Sequence, residues 1–188
     1  MIVADPTVKG VAFCTVLKLV RESVGEPAVQ RALESMPADL AQALRYEVIP
    51  PGHYPVAWYR AMWSALLAAS GQGDDFVRRI GRDAIDNDFN VFYRSLLRIL
   101  KPTTLISVGM RHFNQIYDTG QVEVQDPTPE SVRVSFTGCT GFDHVMWIEI
   151  LGSGERLAEL AGGKDARSTI VDGGRHGDTH CVATFHWR

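Results

Sequence analysis

The apolar residues of this chain change their spacing once, near Gly120, and that change limits the folds open to it. Before it, apolar side chains recur three and four residues apart, which puts them on one face of a helix. Val11, Cys14, Leu17, Val20 and Val24 form one such row, and Gly25 suits its C-terminal cap. After it, Val122 and Val124, then Val132, Val134 and Phe136, alternate with polar neighbours. That is the period of a strand with one buried face. A chain that is helical first and pleated second is an α+β chain.

Prolines and glycines divide the helical part. Pro27 starts a second helix that runs to Met36, Pro37 stops it, and Ala38 to Tyr46 forms a third. Val48 to His53 is a connector, because consecutive prolines cannot continue a helix. Tyr54 to Ala69 is the strongest helix, broken by Gly71-Gln-Gly73. Asp74 and Asp75 open the next, where carboxylates favour the helix dipole. Phe89 to Leu100 reads as another, ended by Lys101-Pro102, and Thr103 caps one more that carries His112. Pro127 and Pro129 mark the turn of a β-hairpin. His144 to Leu160 returns to helix, with an interruption expected at Gly152-Ser-Gly154. Ala166 to Val171 and Cys181 to Trp187 are the last strands. The expected architecture is a bundle of about six or seven helices, then an antiparallel sheet of about four strands with one helix between two hairpins. Residues 1–188 are expected to form one domain.

The composition excludes several classes. At 188 residues, 45% hydrophobic, the chain buries a core without disulfide staples. A net charge of −3 and the lack of any Lys/Arg run argue against nucleic-acid binding. Met62 to Ser70, the longest nearly apolar stretch, is too short to span a bilayer. The opening has no secretory-signal pattern. Three cysteines without paired spacing suggest a reduced, cytoplasmic protein.

Three short stretches resemble one superfamily: Val8-Lys-Gly-Val-Ala-Phe13, Ile80-Gly-Arg-Asp83, and a closing strand that ends in Trp187 after the Gly177-Asp178 turn. The superfamily contains the haem nitric-oxide/oxygen-binding (H-NOX) domains, the 4-vinyl reductase domain and TRAPP transport subunits. The Tyr54-Pro55 helix start, Gly81-Arg82, the Pro102 break and the terminal Trp are also similar to a myxobacterial paralogous family of unknown function. The resemblance implies the fold more strongly than the function. It also implies that a homodimer is possible.

His112 lies 31 residues after Gly81, near where haem-binding relatives carry their proximal ligand. Those relatives hold the haem propionates with Tyr-x-Ser-x-Arg, which is absent after His112; Tyr93-Arg-Ser-Leu-Leu-Arg98 is one residue too long and precedes it. If the fold encloses a cavity, Trp58, Met62, Phe89, Tyr93, Met110 and Phe113 are its expected lining. His176, His180 and His186 are candidate zinc ligands, although strand parity puts His180 and His186 on the face opposite Cys181. Cys139 and His144, on a glycine-bearing turn before a helix, are a candidate thiol and base. The simpler reading of the same turn is a helix cap made by Asp143.

No catalytic set stands out, so the expected function is a non-catalytic sensor or adaptor that binds a small apolar molecule or a protein partner. The alternatives are a haem-based sensor of NO or O2 using His112, and a thiol- or metal-dependent enzyme using Cys139 and His144.

Overall fold

The computed structural model describes residues 5–88 and 100–188. A two-stranded ribbon opens the fold: Thr7–Lys9 (β1) pairs antiparallel with His53–Pro55 (β2). Between them run three helices, Gly10–Val24 (α1), Glu26–Glu34 (α2) and Ala38–Tyr46 (α3). Then come Val56–Ser70 (α4), Asp74–Asp88 (α5) and Pro102–Ile116 (α6). The hairpin Gln121–Gln125 (β3) and Ser131–Thr137 (β4) follows, then the helix His144–Leu160 (α7), and the hairpin Arg167–Gly173 (β5) and Cys181–His186 (β6). This is the expected α+β order, with one helix between two hairpins. The segment Phe89 to Leu100, expected to be helical, lies almost wholly outside the described residues.

Two boundaries differ from the sequence expectation. Tyr54 and Pro55 do not start α4; they belong to β2, and the Val56 amide donates to the Pro6 carbonyl at 2.9 Å. Thr103 is not the cap of α6; Lys101 is, with Pro102 in the first turn. That helix ends at Ile116, because Tyr117 forms a bridge with Val8 instead of continuing the turn.

The largest correction concerns Gly152-Ser-Gly154. α7 runs through it without interruption, and the glycines serve close approach. A Cβ on Gly152 would lie 2.1 Å from the Arg78 carbonyl oxygen, and one on Gly81 would lie 2.0 Å from that of Glu149. α5 and α7 therefore cross with their backbones touching. Ser153 Oγ donates to the Gly81 carbonyl at 2.9 Å across the same contact. Gly154 leaves room for the ring of Phe185 from β6.

The sheet has the order β3-β4-β6-β5, all antiparallel. Its buried face carries Val132, Val134 and Phe136 of β4 and Cys181, Ala183 and Phe185 of β6, paired in register from Val132↔Phe185 to Phe136↔Cys181. α7 covers that face. Rings link the sheet to the helices: Phe142 meets Trp147 at 4.7 Å and Tyr117 at 4.9 Å, and Phe136 meets Trp147 at 5.5 Å. Trp187 Nε1 donates to the Pro129 carbonyl at 2.8 Å, pinning the chain end to the first hairpin's turn. One core cluster joins residues from Val8 to Trp187. No helix among the described residues is long and apolar enough to cross a membrane.

Three substitutions test this packing. In a free helix Gly→Ala stabilises by about 1 kcal/mol. Gly152→Ala should instead destabilise the protein by about 1–3 kcal/mol in urea unfolding, since overpacking dominates. Phe185→Ala should cost about 3–5 kcal/mol while exposed His186→Ala stays within about 0.5 kcal/mol, and a reversed order would refute the face assignment.

Candidate functional site

α1, α5, α6 and α7 do not meet along a common line, and a hollow of about 600 Å³ remains between them. Helix α1 contributes Val11, Ala12, Thr15 and Val16. Helix α5 supplies Ala84 and Ile85. Helix α6 contributes Leu105, Val108 and Gly109, then His112, Phe113 and Gln115. Helix α7 closes the far wall with Glu149, Ile150, Ser153 and Leu157. The volume and the mostly apolar lining with a few polar groups suit a small ligand.

His112 is exposed, and its Nδ1 meets Gln115 Oε1 at 2.9 Å. The two residues are three apart, so one turn of α6 sets the contact. Lys9, at the start of α1, is the lysine of the lining.

Glu149 is the group that pattern reading missed. Its carboxylate is buried; Tyr59 Oη donates to it at 2.7 Å and Trp63 Nε1 at 3.0 Å. Both donors lie one turn apart on α4, so a single helix face binds both oxygens. Burial pushes the Glu149 acid up to about 7, against the lowering effect of the two donors, with Asp143 adding a smaller raise. Burial, and then the charge of Glu149, also raise the phenols of Tyr59 and Tyr117. The available signal was a single carboxylate inside the apolar run Val145 to Leu151.

The residues expected to line a pocket are dispersed. Phe113 is in the wall of the hollow. Met62 is fully buried in the core, and Trp58 stacks on Tyr54 at 6.1 Å. Phe89 and Tyr93 lie outside the described residues, as does the side chain of Met110.

His176 and His186 are exposed, and His180 faces Asp172 at 3.3 Å. Among the described residues no three His, Cys, Asp or Glu side chains gather as a metal site. Cys139 is buried, its thiol directed at the Thr137 carbonyl at 3.7 Å, and burial pushes it up to about 12. It therefore stays protonated at neutral pH. His144 instead meets Asp74 at 2.7 Å and the Gly174 carbonyl at 3.3 Å. That Asp74 contact raises its pKa. No hydrogen bond joins Cys139 to His144 among the described residues. The turn before α7 is a helix cap: Asp143 Oδ1 accepts from the Met146 amide at 3.2 Å.

No known family's sequence pattern matches the chain, and no curated protein matches it in sequence. Solved structures do match. An Fe(II) unliganded H-NOX protein from K. algicida is 16% identical, with a TM-score of 0.71 over 96% of each chain. An oxygen-binding H-NOX domain related to soluble guanylate cyclases, in its oxygen complex, is 14% identical, with a TM-score of 0.69 over 96% of this chain and 95% of that one. A mutant H-NOX of T. tengcongensis is 14% identical, with a TM-score of 0.68 over 96% of this chain and 97% of that one. The chain has the H-NOX fold.

Glu149 makes stability depend on pH. An acid whose folded value lies above its ordinary value binds more protons when folded. Its contribution is complete below the ordinary value of 4.5 and is lost as pH rises toward about 7. The loss is on the order of 3 kcal/mol for a shift of this size. Urea midpoints measured from pH 4.5 to 8 should fall with pH, and Glu149→Gln should remove most of that slope. An unchanged slope would mean that Glu149 is not the titrating group.

Proposed function

We propose that this chain, built on the H-NOX fold, is a ligand-binding sensor domain whose hollow between α1, α5, α6 and α7 takes haem, with His112 as the iron ligand. The observation that carries the reading is the placement of an imidazole in the wall of an apolar hollow of about 600 Å³. Two features of the hollow support that reading. One imidazole nitrogen is engaged by Gln115 at 2.9 Å, which leaves the other for a metal, and an acceptor on the second nitrogen is what a ligating histidine requires. Val11, Ala12, Ile85, Leu105, Val108 and Leu157 offer the apolar surface that a macrocycle needs.

Haem held there would supply an iron centre able to take a diatomic gas. The chain's own residues have three tasks. His112 would hold the iron through its other ring nitrogen, and Gln115 would set the tautomer and orientation of the ring. The apolar side chains of α1, α5 and α7 exclude water from the wall. Lys9 would offer positive charge to the carboxylates of the group.

A second reading rests on that last point. The Tyr-x-Ser-x-Arg set of haem-binding relatives has no counterpart after His112, and β4 instead buries Val132, Val134 and Phe136 there. A hollow with so little cationic lining also suits an uncharged apolar molecule without a metal.

Haem titration separates the two. Stoichiometric uptake with a sharp Soret band, lost or shifted in His112→Ala and weakened in Gln115→Ala, is the expected result. A protein that stays colourless with haem, yet releases an apolar compound when its native form is extracted for mass spectrometry, would overturn the haem reading in favour of the second.

A further inference from the structure

Apart from the His112 hollow, a second one of about 410 Å³ lies between α5, α7 and β5. Its walls carry four guanidinium groups, Arg78, Arg79 and Arg82 from α5 and Arg167 from β5, against two carboxylates, Asp75 and Glu155. The lining is therefore +2 in a chain of net charge −3.

Part of that charge has an internal purpose. Glu155 is 1% exposed, and its oxygens are fully used. Oε1 accepts from Arg78, from the Ser168 amide at 2.9 Å and from the Ser168 hydroxyl at 2.7 Å. Oε2 accepts from Arg82 at 3.1 Å, and Arg82 gives another N–H to Glu159 at 2.6 Å. A buried carboxylate thus holds two guanidinium groups, one turn apart on α5, in fixed positions.

Arg79 and Arg167 have no such partner. Arg79 is exposed and lies over the Phe76 ring at 5.2 Å, and its charge acts on the Asp83 carboxyl. Arg167 is exposed and gives one N–H to its neighbour's carbonyl, that of Ala166, at 3.0 Å, with Asp165 as its carboxylate influence. Neither forms an ion pair among the described residues. Two guanidinium forks thus keep most of their donors unused at the rim of a hollow whose other two arginines are already locked.

We propose that this hollow binds a phosphoryl group, with Arg79 and Arg167 as the contacting forks and Arg78 and Arg82 as the charge behind them. A guanidinium presents paired N–H groups that match phosphate oxygens two at a time. A doubly charged phosphoryl group balances the lining charge of +2, which a single carboxylate does not. The hollow is within the range of small-ligand sites, about 300–1,000 Å³, so the occupant is a small molecule. The site is independent of haem, since it shares no lining residue with the His112 hollow.

Calorimetric titration of the full chain at pH 7.5, with ionic strength held constant by chloride, tests the assignment. The probes are inorganic phosphate and phenyl phosphate. The expected result is saturable binding in the millimolar range or tighter, weakened at least about tenfold in Arg79→Ala/Arg167→Ala and unchanged in Arg133→Ala, an exposed site on β4. Tighter binding of the ester would assign the site to phosphorylated small molecules, and equal binding would assign it to free phosphate. Arg79→Gln, which removes the charge but keeps a polar side chain, is the companion variant, and circular dichroism checks that each variant folds. Absence of saturation by ~10 mM, or binding that survives both variants, would overturn the proposal.

Discussion

The contact between the backbones of α5 and α7 organises most of this molecule. Ordinary helix pairs keep their axes about 8–10 Å apart because side chains stand between them. Here Gly81 sits against the Glu149 carbonyl and Gly152 against that of Arg78, so each helix supplies the gap that the other enters. Ser153 adds a hydroxyl bridge to Gly81. Once the crossing is that close, the side chains flanking it on α7 are directed into neighbouring elements at short range. Glu149 meets α4, Gly154 admits Phe185 from the sheet, and Glu155 reaches Arg78 and Arg82.

The two buried acids of α7 show how environment assigns different work to the same side chain. Glu149 is met by neutral donors, a phenol and an indole. Those donors satisfy its oxygens but do not cancel its charge, so desolvation dominates and the acid titrates near neutral pH. Glu155 is met by two guanidinium groups and a serine, so its charge is matched within the structure. Removing either partner set would leave a buried group unsatisfied, which is costly whichever way it ionises. The first acid lies in the wall of the larger hollow, and the second forms part of the smaller one.

The same crossing leaves space on its other side. α1 and α6 pack around α5 and α7 without closing on them, and α6 itself is drawn toward α7 where Gly109 lies beneath Leu157. That approach brings the turn containing His112 and Gln115 to the hollow. The likeness to H-NOX structures extends along nearly the whole chain at low identity, as expected when packing geometry persists while the side chains change.

Periodicity and chain breakers were sufficient for the order of elements, because each depends on residues close together in sequence. The row Val11 to Val24, the stops at Pro37 and Gly71, and the alternation from Val122 to Phe136 each reappear as an element, and the apolar face of β6 is buried as its alternation requires. His112 was legible as a candidate only through the family resemblance, from its distance to Gly81. The missed features have non-local causes. Gly152 and Gly154 resemble a break until α5 and Phe185 are placed beside them. Tyr54-Pro55 resembles a helix start until β1 pairs with it. Glu149 finds its donors on another helix, 86 and 90 residues away in sequence, and no local pattern encodes such a meeting. The chain by itself therefore determined which segments are helix or strand and which of their faces are apolar, since steric and solvation preferences act within a few residues. Only the tertiary structure decided where two backbones touch, which carboxylates are buried and against what, and where hollows remain, because those depend on surfaces that meet only when the whole chain has packed.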